Sequence, residues 1–187
     1  MSGNIAIVYS TGTDAVAQAF SDAAAGLAAH VRVLWVPGDE DHEPRGSHPI
    51  AAFDDVRWAD GIAFGTPLGE GRPAVALMRF IEGMEPLWIS GWLNDKVVTA
   101  FTDRPEEIAP DSVLHPIYDV LYRWGAVIVG PRAIELALDA RLARSVLEHP
   151  SPLPAARLRT AQYRAGRLAR LAGVLADERH RHERFAQ

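Results

Sequence analysis

Short apolar runs recur along the chain at residues 5–9 (IAIVY), 31–36 (VRVLWV), 61–65 (GIAFG), 97–101 (VVTAF) and 126–130 (AVIVG). They are rich in β-branched residues, which predicts five strands. Their spacing, roughly 25 to 35 residues, is the length of one strand–helix unit. The intervening segments carry helical patterns. Residues 14–30 present Val16, Phe20, Ala24 and Leu27 on one stripe. Residues 111–125 present Val113, Ile117, Val120, Leu121 and Trp124, with Pro116 predicting a late start or a kink and Gly125 a C-cap. After the fifth run comes a helical stretch ending near residue 149. A long amphipathic helix follows, with Leu158, Ala161, Leu168, Leu171 and Leu175 inward and arginines outward. From about residue 177 it is all charge and is expected to fray. The acidic, proline-rich segment 37–49 reads as the one true loop.

Strands alternating with helices predict a doubly wound α/β sheet. Runs that are continuous rather than alternating mean both sheet faces are covered, as parallel sheets require. Ligands then sit beyond the carboxyl ends of the strands. That singles out the loops at 10–14, 66–73 and 102–110.

Composition narrows the chemistry. With 187 residues, the expectation is a single domain over 1–187. The absence of cysteine excludes disulfides, thiolate metal sites and cysteine nucleophiles. A net charge of −5 argues against a nucleic-acid partner. All but one of the basic residues are arginine, Lys96 being the exception. The start of the chain has no signal-peptide pattern and no run is long enough to span a membrane, so a cytoplasmic location is the expectation. The seven histidines lack metal-ligand spacing, and no nucleophile elbow is present, so neither a metal site nor a serine hydrolase is expected.

The first loop offers Ser10, Thr11, Gly12 and Thr13 between a strand and a helix. Hydroxyls and free N–H groups there can cradle a phosphate without a cation. Equally, Thr13 or Asp14 can simply cap the helix. The loop lacks both the Walker lysine and the triple glycine of the dinucleotide fingerprint. In the second and third loops, Arg72 and Arg104 are candidates for an anionic substrate, with surface salt bridging as the alternative.

YSTGT at 9–13 resembles the phosphate loop of flavodoxins, which holds the FMN phosphate. Residues 64–96 resemble, without a gap, the corresponding segment of the WrbA family of flavodoxin-like NAD(P)H:quinone oxidoreductases. The landmarks are Phe64-Gly65-Thr66-Pro67, Gly71, Phe80, Leu87-Trp88, Ser90-Gly91, Leu93 and Lys96. The resemblance runs from residue 4 to about 130. It implies a flavodoxin-like five-stranded parallel sheet in the order 2-1-3-4-5, with helices on both faces. It implies FMN held by Ser10, Thr11, Gly12, Thr13, Thr66, Pro67, Leu68, Gly69, Gly71, Arg72, Thr102 and Asp103. Trp88 and Trp92 would form a substrate wall, NAD(P)H would be the reductant, and the assembly would be a homodimer or homotetramer.

Two loops depart from the family. Asp14 brings a carboxylate to the phosphate loop. TDRPEEIAPDS at 102–112 replaces a glycine- and hydroxyl-rich loop, and a family histidine facing the flavin falls at about Arg123. Arg104 and Arg123 are thus the catalytic candidates, as stabilisers of a quinol anion. The expected function is FMN-dependent reduction of a quinone or similar planar aromatic by NAD(P)H. The alternatives are a flavin-free binding or accessory protein on the same fold, in a biosynthetic pathway for instance, and a simple electron carrier.

Overall fold

The computed structural model describes residues 3–28, 30–39, 48–67, 71–103, 110–130 and 154–185, with the side chains of 110–112, 154–160 and 179–185 left aside. The elements are β1 (Asn4–Ser10), α1 (Asp14–Ala25), β2 (His30–Val36), α2 (Phe53–Trp58), β3 (Gly61–Thr66), α3 (Val75–Glu82), α4 (Glu85–Ile89), β4 (Val97–Thr102), α5 (Pro110–Arg123), β5 (Val127–Ile128) and α6 (Pro154–Phe185). The strands form one parallel sheet in the order β2-β1-β3-β4-β5, as the resemblance implied.

Alternate residues of each strand feed two cores. Ile5, Ile7 and Tyr9 of β1 pack with Phe101 of β4 against α1 and α6. Ala6 and Val8 pack with Ile62, Phe64 and Val98 against α2, α3 and α5. The central strands are buried throughout, which explains their unbroken apolar runs. Gly65 is needed for this packing. A Cβ placed there would lie 2.5 Å from the Phe101 ring, which itself stacks on Phe20 with centroids 4.5 Å apart.

Several sequence expectations shift. α1 ends at Ala25 rather than near residue 30, so Leu27 lies beyond it and is exposed. α5 runs through Pro116 without a late start, and Gly125 at φ +71° terminates it as expected. α6 continues as helix to Phe185, through the charged segment expected to fray. The sequence there sets Asp177 four residues before Arg181, a spacing that favours helix.

The fifth strand is only two residues long, and this accounts for a second correction. Among the described residues the outer edge of β4 has no strand partner beyond Val98, and the Ala100 carbonyl accepts from Tyr118 Oη (3.4 Å) and from Arg164 (3.2 Å). Arg164 is therefore buried rather than outward, and Arg167 donates to Gly130 O at 3.0 Å. At the opposite sheet edge, Pro49 O accepts from Trp35 N (2.9 Å) and Ala51 N donates back to Trp35 O (2.8 Å). The chain thus returns alongside β2 and carries His48 towards the strand ends. Residues 40–47 of the acidic loop, the helical stretch ending near 149 and Leu158 fall outside the description.

Candidate functional site

Ser10, Thr66 and Thr102 close β1, β3 and β4. Thr66 pairs with Thr102 in register, and Ser10 Oγ reaches the carbonyl of Gly65 at 3.3 Å. Three hydroxyl side chains, all buried, thus form a row at the carboxyl end of the sheet. Thr66 Oγ1 accepts from Ala74 N at 2.7 Å, which pins the start of α3 to the end of β3. Thr102 Oγ1 is buried and has no hydrogen-bond partner among the described residues. Gly12 takes φ +99°, a region that penalises any side chain, and a Cβ there would meet the Pro67 ring at 3.4 Å. The first and second loops are therefore in contact. Gly71 also has positive φ (+75°), and Arg72 beside it is exposed. Leu68, Gly69 and Arg104 lie outside the description. Asp103 is half-buried next to Thr102.

Within the first loop, each hydroxyl is engaged with the protein. Thr13 Oγ1 donates to Ser10 O (2.8 Å) rather than capping α1, and Thr11 Oγ1 accepts from the Trp35 indole (3.2 Å). Asp14 folds back so that its Oδ2 accepts from Gly12 N at 3.1 Å. Tyr9 is fully buried, and its hydroxyl lies 2.9 Å from His48 Nδ1. Burial first, then the nearby Asp14 carboxylate, push the Tyr9 phenol from 10.0 up to about 12. Sequence reasoning placed neither Tyr9 nor His48 in the site. Tyr9 reads there as a strand residue, and His48 lies in a loop with no motif.

Trp88, Trp92 and Arg123 are at the other end of the sheet. α3 starts beside Thr66 and runs back, so α4 follows at the amino end of the strands. There the Trp92 ring lies under the Arg57 guanidinium (4.1 Å), Val97 N donates to Asp60 O and Asp95 N donates to Gly125 O. A cavity of about 320 Å³ at this end is lined by Glu82, Glu85, Trp88, Val120, Arg123 and Trp124. The structure thus groups Trp88 with Arg123 but keeps both, and Trp92, away from the strand-end loops of the same chain. The buried Lys96 lies here too, its ammonium donating to Arg57 O at 3.0 Å and to Ala59 O.

No protein-family model matches this chain. Among curated proteins, it is 31% identical over 144 residues to the NAD(P)H dehydrogenase (quinone) of Deinococcus radiodurans, covering 68% of this chain and 72% of that protein. The protein of the same name from Azorhizobium caulinodans is 31% identical over 137 residues, covering 67% and 69%. The chain belongs to the NAD(P)H dehydrogenase (quinone) family. Solved structures agree on the fold. A WrbA-like flavodoxin from Agrobacterium tumefaciens superposes with a TM-score of 0.61 at 19% identity, over 91% of this chain and 97% of that one. The NAD(P)H:(acceptor) oxidoreductase FerB from Paracoccus denitrificans does so with 0.52 at 12% identity, over 87% and 98%. Among the described residues, no group of acidic or histidine side chains could hold a metal ion and no helix is long and apolar enough to cross a membrane. In the first loop of this chain the Asp14 carboxylate is seated on the Gly12 amide.

Proposed function

We propose that this chain is a flavin-dependent NAD(P)H oxidoreductase that reduces a quinone or similar planar aromatic, with FMN as its flavin. The observation carrying the reading is Thr102 Oγ1. It is a buried hydroxyl with no partner among the described residues, in register with Thr66 where a doubly wound sheet takes its ligand. Leaving such a group dry costs about 1–3 kcal/mol. A polar ring edge at the strand ends would relieve that cost. Family membership supports the same assignment.

A bound flavin would supply the hydride chemistry, taking electrons from NAD(P)H and passing them to the acceptor. The protein's own residues would orient and shield it. Thr66 fixes the second loop through Ala74 N, Gly12 and Pro67 bring two loops together, and Gly71 lets main chain approach the ring. No side chain need act as acid or base. Trp88 and Trp92, 41% and 50% exposed at the far end of the sheet, would wall a flavin only across a subunit interface, in a homodimer or homotetramer. Arg123 would reach a quinol anion by the same route.

The test is reconstitution of purified protein with flavin under anaerobic conditions. Visible flavin colour, bleached by NADH or NADPH and restored by benzoquinone, is the expected result. A folded protein that takes up no flavin would overturn it. That outcome would favour a flavin-free binding protein, for which the Asp14 contact with Gly12 N is the specific support. Flavin that NAD(P)H fails to bleach would leave an electron carrier.

A further inference from the structure

We propose that Asp14 makes this flavin site indifferent to the phosphate, so that a flavin with a neutral hydroxylated tail binds as well as FMN and the cofactor exchanges rather than resides. The inference rests on the flavin reading above and concerns only the tail end of the site.

The donors that would meet a phosphate are already committed. Gly12 N, whose direction is set by φ +99°, donates to Asp14 Oδ2 at 3.1 Å. The nearby Tyr9 phenol is held neutral by its burial and by the Asp14 charge, and brings no positive charge to the loop. Ser10 Oγ and Thr13 Oγ1 turn their protons onto the carbonyls of Gly65 and Ser10. The sequence between Tyr9 and Gln18 contains no lysine or arginine to offset the charge. An incoming phosphate must displace the carboxylate from Gly12 N and then lie close to it. Like charges a few ångströms apart in a partly dry site repel by several times more than in water. That repulsion offsets the gain a helix N-terminus normally gives a phosphate. A ribityl chain ending in a hydroxyl meets no such opposition. It can donate to the Asp14 carboxylate and leave Gly12 N where it is.

The measurement is flavin fluorescence quenching by the full chain at pH 8, titrating riboflavin and FMN in turn, with excess inorganic phosphate as competitor. The variants are Asp14→Asn, which keeps the shape and an oxygen for Gly12 N, and Asp14→Ser. For the unaltered chain, the two dissociation constants should agree within about threefold, and phosphate should displace neither ligand. Both variants should tighten FMN by about tenfold or more while moving riboflavin by less than about threefold. Thermal melts check that each variant is folded, and the unaltered chain's own ratio decides should a variant fail to fold. FMN binding about tenfold tighter than riboflavin to the unaltered chain would overturn the inference and leave the oxidoreductase reading standing. So would folded variants that leave the ratio unchanged. A folded chain that quenches neither flavin would overturn both.

Discussion

Tyr9 is a phenol buried in the core near the Asp14 carboxylate, and both facts favour its neutral form. Its folded pKa of about 12 lies above the ordinary 10.0, so the stabilising contribution is complete below pH 10 and is lost as pH rises from 10 to 12. Urea denaturation of the unaltered chain should therefore lose about 2 kcal/mol more between pH 9 and 12 than Tyr9→Phe does. Parallel pH profiles for the two proteins would refute this. Thr102 poses the opposite problem, a buried hydroxyl with nothing to bond among the described residues. Thr102→Val removes the group at nearly constant volume. It should raise stability by about 1 kcal/mol, equivalent to about 2–4 °C in Tm, and weaken flavin binding in the same preparation. A Tm that falls, or flavin affinity that holds, would show that the hydroxyl is not kept for a ligand.

Elements are held to one another by a few such polar ties. Lys96 precedes β4 and donates to Arg57 O and Ala59 O, carbonyls at and just past the end of α2 that helix geometry leaves unpaired. Lys96→Met keeps the stem but strands those carbonyls, and should lower stability by about 1–3 kcal/mol with an unchanged denaturant m-value. Loss within error would mean water serves them equally well. The three central strands were legible in the sequence because burial on both faces writes an unbroken apolar run, and the two edge strands followed from their β-branched residues and spacing. Their lengths were not, since β5 pairs only as far as Val98 and nothing local marks that limit. Arg164 was misread as outward for the same reason: its carbonyl partner, Ala100 O, lies on β4 beyond the residues that β5 pairs with, and no local pattern marks it.

At the scale of the whole molecule, the ligand end of the sheet was readable from glycines and hydroxyls at three strand ends. Which end Trp88 belongs to was not. It follows the second loop closely in sequence, yet α3 and the turn after it carry the chain back along the sheet; eight helical residues alone span about 12 Å. That geometry makes the assembly testable. Trp88, Ile89 and Trp92 are exposed together, and Ile89, 73% exposed, belongs to neither core. An apolar group of this kind marks an interface when a partner covers it. Ile89→Asp should leave the monomer folded, turn a dimer or tetramer into monomer by light scattering, and preserve flavin uptake, since the strand-end loops lie within one chain. Quinone turnover with NAD(P)H should fall at least about tenfold, because the tryptophan wall then comes from no neighbour. A parent chain that is monomeric from the start, or a monomeric variant with undiminished turnover, would place the substrate entirely within one subunit and remove these tryptophans from the reaction.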